Sequence, residues 1–482
     1  MNAKCIKMVL WAFLFFLVTS HRVYGSEYYA DSVSGDDSNS GFLGSPWKTL
    51  GRVNSERFMP GDSVFLRCGG TWHEGLIMDS SGTSGDPITV GMYGSGEAPI
   101  VRSIVIGGHN TAIEGLTVDA DKAGVDAVRV QGSQNTILRG LTVRNGLKDG
   151  IDISGSKNVL IDGCHVHHLL AGSFNSQADA HGIVVTGSQG ITIRGTEIHQ
   201  VSGDCFQADP NRNPQMLSND IVIEGCHFWT APLTEDFNSG WIKTDHLPEN
   251  ERQYPGENAV DTKVLKEGWE SIPRMRITIR NVIAHGWRHD GFVGNKAAFN
   301  LKEKIEAVLD GVTVFESEIA FRLRGNNGNA NVTVKNGIIY DCEKAVRAED
   351  DLANLKIYNC TFGGSIDTHL ELAGSSGGTG SWDLKNNAFV GGKPGLFSDA
   401  SNMVIPEADL SMHFLDPRAG DYHLRSGSSL VGSGQTLLEV SVDRDMEKRT
   451  APYDVGAYEF SSQGIPQQPK TPLNLRILGT AP

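Results

Sequence analysis

Acidic and basic side chains alternate with small apolar ones in the stretch GENAVDTK, which ends at Lys263. If this stretch is a β-strand, Glu257, Asp261 and Lys263 lie on one face, because successive side chains of a strand point to opposite sides. Two carboxylates and an ammonium group on one face form either an ordinary salt-bridged surface or a cation site beside a catalytic base. What the rest of the chain builds around them decides between the two.

Short apolar segments recur along the middle of the chain. NTILRGLTV, NVLIDGCHV and GITIRGTEI each alternate apolar and polar residues, turn at a glycine and become apolar again. Their spacing of roughly 23 to 32 residues is typical of a solenoid. No Leu-x-x-Leu-x-Leu frame of a leucine-rich repeat is present. The pattern therefore predicts an all-β fold, a right-handed parallel β-helix.

A second strand follows each of these segments, as in DAVRV, DGIDI, HGIVV, DCFQA, NAVDT and DGFVG. When their apolar third and fifth positions point inward, the first and fourth positions form outward columns on strands about 4.8 Å apart. The first positions include His181, Asp204 and Asp290. The fourth positions are Arg129, Asp152, Val184, Gln207, Asp261, Val293, Arg322 and Arg347. This face is expected to be acidic in its middle and basic towards its C-terminal end.

The ends of the chain and one insertion complete the predicted organisation. Residues 1–25 contain Lys4 and Lys7 before an apolar run too short to cross a bilayer, which is typical of a secretory signal peptide. The β-helix is expected over residues 26–462, with an insertion at about residues 230–256 that carries Trp241 and overhangs the GENAVDTK strand. Residues 463–482 are expected to be a tail.

Composition also limits the function. The formal net charge of −15 argues against a nucleic-acid binder, which would present a basic face. No stretch besides the N-terminal one approaches a membrane span. We therefore expect a secreted protein, monomeric, with neither a nucleic-acid partner nor a membrane span.

Segments at both ends resemble a known group of proteins. GSPWKTL, PGDSVFLRCGGTW and SSGTSGDPITVGMYGSG near the N-terminus, and DRDMEKRTAPYDVGAYEF near the C-terminus, resemble secreted right-handed β-helix proteins of the pectate-lyase-like superfamily. The resemblance implies the fold and, as a first expectation, a lyase that acts on an acidic polysaccharide. In such lyases the uronate carboxylate is neutralised, often by Ca²⁺, and a lysine or arginine removes the C5 proton before β-elimination.

The resemblance implies roles for individual residues. Lys263 is the expected base, Arg288 (or Lys296) the cation of the next coil, and His181 a further catalytic candidate. The expected Ca²⁺ ligands are Asp204, Asp209, Glu257 and Asp261. The expected substrate-binding residues are Arg322, Arg324, Arg347, Trp241, Asp152 and Asp290.

Other readings of the sequence stay open. Asp152, Asp204 and Asp261 could serve a glycoside hydrolase, which needs two carboxyl groups. A C5-epimerase and a non-catalytic carbohydrate-binding solenoid also fit the fold. His167, His199 and His285 fall at equivalent repeat positions, where a stacked ladder is favoured over a zinc site.

Overall fold

The computed structural model describes residues 25–210, 216–238, 240–264, 271–289, 293–325, 329–373 and 380–461. Within these residues, parallel strands form three long sheets, and each coil passes through the third, the first and then the second sheet. This arrangement confirms the predicted right-handed parallel β-helix. Side chains that point inward from all three sheets form one continuous apolar core.

The strands of each sheet stack in chain order. The first sheet contains Glu27–Ala30, Ser63–Arg67, Ile88–Tyr93, Thr111–Glu114, Gln134–Arg139, Lys157–Asp162, Gln189–Arg194, Asn219–Glu224, Met275–Arg280, Ile305–Asp310, Asn331–Lys335, Asn354–Tyr358 and Ser381–Lys385. The second sheet contains Ile100–Val101, Thr117–Asp119, Thr142–Gly146, His165–Leu169, Glu197–Val201, His227–Trp229, Ile283–His285, Thr313–Phe315, Ile338–Ile339, Thr361–Phe362, Ala388–Val390 and Met403–Ile405.

The third sheet contains Gly75–Met78, Ser103–Ile106, Val128–Gln131, Ile151–Ser154, Ile183–Thr186, Phe206–Asp209, Asn258–Thr262, Ala297–Lys302, Ser317–Arg324, Cys342–Glu349 and Ile366–Ala373. Two antiparallel pairs lie outside these sheets, Ala171–Ser173 with Ser176–Ala178 and Phe414–Asp416 with Asp421–Leu424. The helices are Leu50–Ser55 and Leu410–His413, with 3₁₀ turns at Glu249–Glu251, Glu407–Asp409 and Pro417–Ala419.

Local sequence explains why the chain turns where it does. Asn135 and Asn158 lie where the chain enters the strands Gln134–Arg139 and Lys157–Asp162 of adjacent coils, with φ angles of 57° and 54°. Asparagine tolerates this left-handed region better than other residues with a side chain. The Asn135 side chain donates a hydrogen bond to Asn110 of the preceding coil at 2.9 Å, and Asn158 donates to Asn135 at 3.0 Å. These turns therefore also stack from coil to coil.

The outward column of the third sheet follows the predicted alignment with one correction. The structure pairs Arg129, Asp152, Val184, Gln207, Asp261, Asn300, Arg322 and Arg347 in register. The strand predicted at DGFVG is wrong, since the strand of that coil is Ala297–Lys302. Phe299 and Leu301 fill its inward positions, whereas Val293 lies in a bend. Asn300 therefore replaces Val293 in the column, and Asp290 lies outside the described residues.

The insertion before the strand Asn258–Thr262 is anchored by its own small core. Leu233, Phe237 and Trp241 pack with Leu170 in a separate apolar cluster. The indole nitrogen of Trp241 donates a hydrogen bond to the carbonyl of Ala171 at 3.0 Å. The prediction that Trp241 binds substrate is wrong, because its side chain is 0% exposed and presents no face to a sugar ring.

Three further observations concern the chain as a whole. Among the described residues, no helix has the length and apolar character needed to cross a membrane. All six described cysteines are free thiols, and five of them are buried: Cys164, Cys205, Cys226, Cys342 and Cys360. Residues 1–24 and 462–482 lie outside the description, so the signal peptide and the tail stay predictions.

Stacked aromatic side chains inside the third sheet should contribute strongly to stability. Phe299 is 0% exposed, and its ring lies 5.7 Å from that of Phe321 in the next coil. Phe299→Ala should lower the free energy of unfolding by about 3–5 kcal/mol, because it leaves a cavity between coils. Thermal and denaturant unfolding measure this effect. Phe42→Ala, at a side chain 56% exposed, is the matched control and should change stability by less than about 1 kcal/mol.

Candidate active site

Four polar side chains at the entry of the third-sheet strands form one hydrogen-bonded chain that reaches across five coils. The amide of His181 donates to Asp149 Oδ1, and the amide of Asp204 donates to His181 Nδ1, both at 2.8 Å. The side chain of Asn258 donates to Asp204 Oδ1 at 2.7 Å and accepts from the amide of Ala297 at 3.0 Å. Because His181 Nδ1 accepts a hydrogen bond, the neutral imidazole carries its proton on Nε2. His181 and Asp204 are thus neighbours, as the alignment predicts.

The charged residues of GENAVDTK lie directly beside this chain. The ammonium nitrogen of Lys263 lies 2.9 Å from a carboxylate oxygen of Asp261 and 3.6 Å from Asp204. Lys302 approaches Asp261 from the next coil at 2.8 Å. Asp204 and Asp261 are 0% and 1% exposed, so their charges depend on these lysines for neutralisation. We call Asp204, Glu257, Asp261, Lys263 and Lys302 the charge cluster.

Burial and neighbouring charges shift the pKa values of Asp204, Glu257 and Lys263 in the charge cluster. Burial, followed by the repulsion of Asp261, raises the pKa of Asp204 to about 7. Burial and then Asp204 raise the pKa of Glu257 to about 7. Burial on its own lowers the pKa of Lys263, but Asp204 and Asp261 outweigh it, and the net shift is upward. Lys263 is therefore an ammonium ion in this arrangement, and its proton is held by the two aspartates.

The charge cluster has the donor chemistry of a Ca²⁺ site. Carboxylate oxygens are the ligands that Ca²⁺ prefers. Oδ2 of Asp204 is buried and accepts no hydrogen bond, and the ammonium group of Lys263 faces it at 3.6 Å, so a positive charge already lies beside this oxygen. Asp209 is buried at the end of the adjacent strand, where it pairs in register with Thr186. A cation at Asp261 has to displace the ammonium group of Lys263 or Lys302.

The predicted arginines form a second charged group further along the third sheet. Arg322, Arg324 and Arg347 each place a guanidinium nitrogen within 3.4 Å of the carboxylate of Glu349. Arg347 also contacts Glu371 at 3.1 Å. Their side chains are between 19% and 28% exposed. An anionic group can therefore approach guanidinium groups that Glu349 holds in place. We call these three arginines the arginine cluster.

Other predicted residues lie elsewhere. Arg288 forms an ion pair with Asp341, and a longer contact of 3.7 Å with Asp367, rather than joining the charge cluster. Lys296 is buried and pairs with Glu318 at 3.0 Å. Asp152 lies beyond Val184 and Gln207 in the outward column, and burial, followed by the charge of Asp126, raises its pKa to about 6.

Lys302 is the residue that the sequence alignment missed. It occupies the same face as Asn300 in the strand Ala297–Lys302, and its amide donates to Thr262 Oγ1 at 2.6 Å. The alternation of AAFNLK, with Phe299 and Leu301 inward, would have identified this face. DGFVG, which precedes AAFNLK, fits the repeat pattern equally well. The strand was therefore assigned to DGFVG, and Lys302 was missed.

Aromatic rings stack along the outer face of the second sheet, as the sequence predicts for its histidines. The ladder contains His167, His199, Trp229, His285, Phe315 and Tyr340. Successive ring centroids lie 4.1 to 6.2 Å apart, with interplanar angles of 13° or less. The predicted stacked ladder of His167, His199 and His285 is confirmed.

The raised pKa of Glu257 predicts a pH-dependent stability. The pKa of Glu257 is about 7 in the folded protein and 4.5 is its ordinary value. Its contribution to stability is therefore fully present below pH 4.5 and is lost as the pH rises to about 7. Glu257→Gln is neutral throughout, so its melting temperature relative to wild type should increase across this window. The measurement uses chelator-treated protein. A constant difference would contradict the shift, and Glu97→Gln, at an exposed glutamate, is the control.

Comparisons with known proteins agree with the fold. Residues 102–230 match the family model of the right handed beta helix region. An uncharacterized protein of Bacillus subtilis, YwoF, is 26% identical over 188 residues, which are 37% of this chain and 36% of that relative. The match thus spans little more than a third of the relative's length.

Solved structures extend the likeness over most of the chain. A rhamnogalacturonan lyase aligns with a TM-score of 0.52 at 15% identity, over 91% of this chain and 96% of its own. Pectate lyase Pel9A aligns with a TM-score of 0.46 at 15% identity, over 91% and 97% of the two chains. A lacto-N-biosidase from Eubacterium ramulus aligns with a TM-score of 0.46 at 14% identity, over 74% and 68%. With its three parallel sheets and the match over residues 102–230, the chain has a right-handed parallel β-helix fold.

Proposed function

We propose that this protein is a polysaccharide lyase that cleaves a uronate-containing acidic polysaccharide by β-elimination on the outer face of the third sheet. One observation carries the proposal. The charge cluster, with the ammonium groups of Lys263 and Lys302 beside buried carboxylates, shares a face with the arginine cluster. A polyanion lying along this face meets fixed cations and proton-transfer groups in successive coils. The known lyases among the structural neighbours are consistent with this activity.

β-Elimination requires three events at one sugar unit. The uronate carboxylate must be neutralised, the C5 proton must be removed, and the leaving glycosidic oxygen at C4 must receive a proton. Lys302 and Arg324, which pair in register on adjacent strands, are suited to bind the carboxylate. Lys263 is the proposed base, and Nε2 of His181 carries a proton near the carboxylate of Asp179, at 3.8 Å. In this proposal Lys302, rather than Arg288, is the cation supplied by the coil that follows Lys263.

Lys263 is an ammonium ion in this arrangement, so it can act as the base only after it has lost a proton. Lys263 can accept a proton only when the negative charge of Asp204 and Asp261 is balanced in another way, which is what bound Ca²⁺ would supply while it also neutralises the uronate. Asp204, Asp261 and Glu257 are the proposed ligands, with Asp209 at the adjoining strand end. The proposal therefore includes a dependence of activity on Ca²⁺.

Hydrolysis is the second candidate, and a separate observation favours it. The carboxyl groups of Asp152 and Glu257 have pKa values raised to about 6 and about 7, and burial is the main cause of both shifts. A carboxyl group that stays protonated near neutral pH can act as the general acid of a glycosidase, which needs a second, ionised carboxylate. A hydrolase produces new reducing ends without an unsaturated sugar.

Activity on a panel of uronate polymers tests the proposal. The protein is produced from residue 26, since residues 1–25 are the proposed signal peptide. The ultraviolet absorbance of unsaturated uronate should rise with time, and more strongly with Ca²⁺ than with a chelator. Lys263→Ala should lower this rate by about a hundredfold or more, because it removes the proton-transfer group. Lys157→Ala, at an exposed lysine of the first sheet, should retain full activity.

Each outcome separates the candidate functions. A rise in absorbance that survives Lys263→Ala would reject Lys263 as the base. New reducing ends without absorbance would support hydrolysis, and exchange of the C5 proton without cleavage would support a C5-epimerase. Binding of a polymer that remains intact would leave a non-catalytic carbohydrate-binding protein.

A further inference from the structure

We propose that His165, Glu197 and His199 form a binding site for a divalent transition metal, Zn²⁺ or a metal of similar preference, on the outer face of the second sheet. The ligand atoms of these three residues all lie within 4.8 Å of one another. They lie on a different sheet from the charge cluster, so the inference does not rest on the proposed lyase activity.

The register of the β-helix places the three side chains together. Glu197 and His199 are separated by one residue in the strand Glu197–Val201, so their side chains share a face. His165 is directly opposite Glu197 on the neighbouring strand. Two imidazoles and one carboxylate are a donor set that Zn²⁺ takes at open sites, where a solvent molecule completes the tetrahedron. His165 and Glu197 are partly exposed, which leaves this position accessible.

The hydrogen bonds around His199 place the lone pair of its imidazole on Nε2. Nε2 of Gln200 donates to the carbonyl of Pro232 at 3.4 Å, which orients Oε1 of Gln200 towards Nδ1 of His199 at 3.1 Å. An amide oxygen can only accept, so Nδ1 of His199 carries the proton and Nε2 presents a lone pair. A histidine that ligates a metal usually donates its other ring proton to such an oxygen.

Glu197 is oriented by a neighbour in the same manner. The indole nitrogen of Trp229 donates to Oε1 of Glu197 at 2.8 Å and restricts the carboxylate. The Nε2 atoms of His165 and His199 lie 2.8 Å apart and face each other. Without a metal, this contact is an N–H···N hydrogen bond from His165 to His199. A bound metal takes the place of that hydrogen, and the proton moves to the other nitrogen of His165 or to water.

Zinc titration of the protein produced from residue 26, stripped of metal with a chelator, tests the site. Calorimetry should give one site per chain, and Co²⁺ should produce the visible absorption of a tetrahedral complex. His165→Ala and Glu197→Gln should each weaken Zn²⁺ binding by about tenfold or more. Glu197→Gln keeps an acceptor for Trp229, so its fold, checked by circular dichroism, should be retained.

Matched variants decide whether binding belongs to this site. His246→Ala removes an exposed histidine of the insertion and should leave the affinity unchanged. Lys263→Ala, in the charge cluster, should also leave it unchanged. If folded His165→Ala and Glu197→Gln proteins bind Zn²⁺ as tightly as wild type, the metal is adventitious and the proposal is wrong. Absence of binding to the wild-type protein would equally overturn it.

Discussion

In-register parallel pairing between coils is the constraint on which the rest of this structure depends. Outside its own strand, a residue lies closest to the residue at the same position of the next coil, about 4.8 Å away. In an inward column, apolar residues of successive coils therefore pack on one another, and the core can continue through every coil. An outward column of like charges would repel itself unless an opposite charge intervenes. Asp261 illustrates the solution, since Lys263 of its own strand and Lys302 of the next share its carboxylate.

In-register pairing has different consequences on the second and the third sheet. On the second sheet, repetition of flat rings gives a continuous stack from His167 to Tyr340, in which dispersion between faces stabilises adjacent coils. On the third sheet, repetition gives an acidic region followed by a basic one. Buried charge there is held by partners rather than by solvent, so replacement of one partner leaves another uncompensated. The proposed Ca²⁺ would restore this balance if it displaced Lys263 from Asp261.

Much of the fold and part of the site could be predicted from the sequence. The apolar alternation in DGIDI and NAVDT indicates which side chains point outward, and this places Asp152, Gln207 and Asp261 in one outward column. Several predictions failed, and two cases have a clear physical reason. Trp241 lies in an insertion, where no repeat indicates burial, and it fills a small core of its own. Lys302 was missed because a bend lengthens the connection before its strand. The protonation of Lys263 also depends on distances that no pattern encodes.

The buried free cysteines can report local opening of the β-helix. Burial raises the pKa of Cys164 to about 11 and that of Cys226 and Cys360 to about 12, so each remains a protonated thiol without access to reagents. These thiols occupy separate coils along the axis. A thiol reagent reacts with such a residue only when its coil separates from its neighbours. The labelling rate at each cysteine therefore measures how readily that coil opens, without the introduction of any probe.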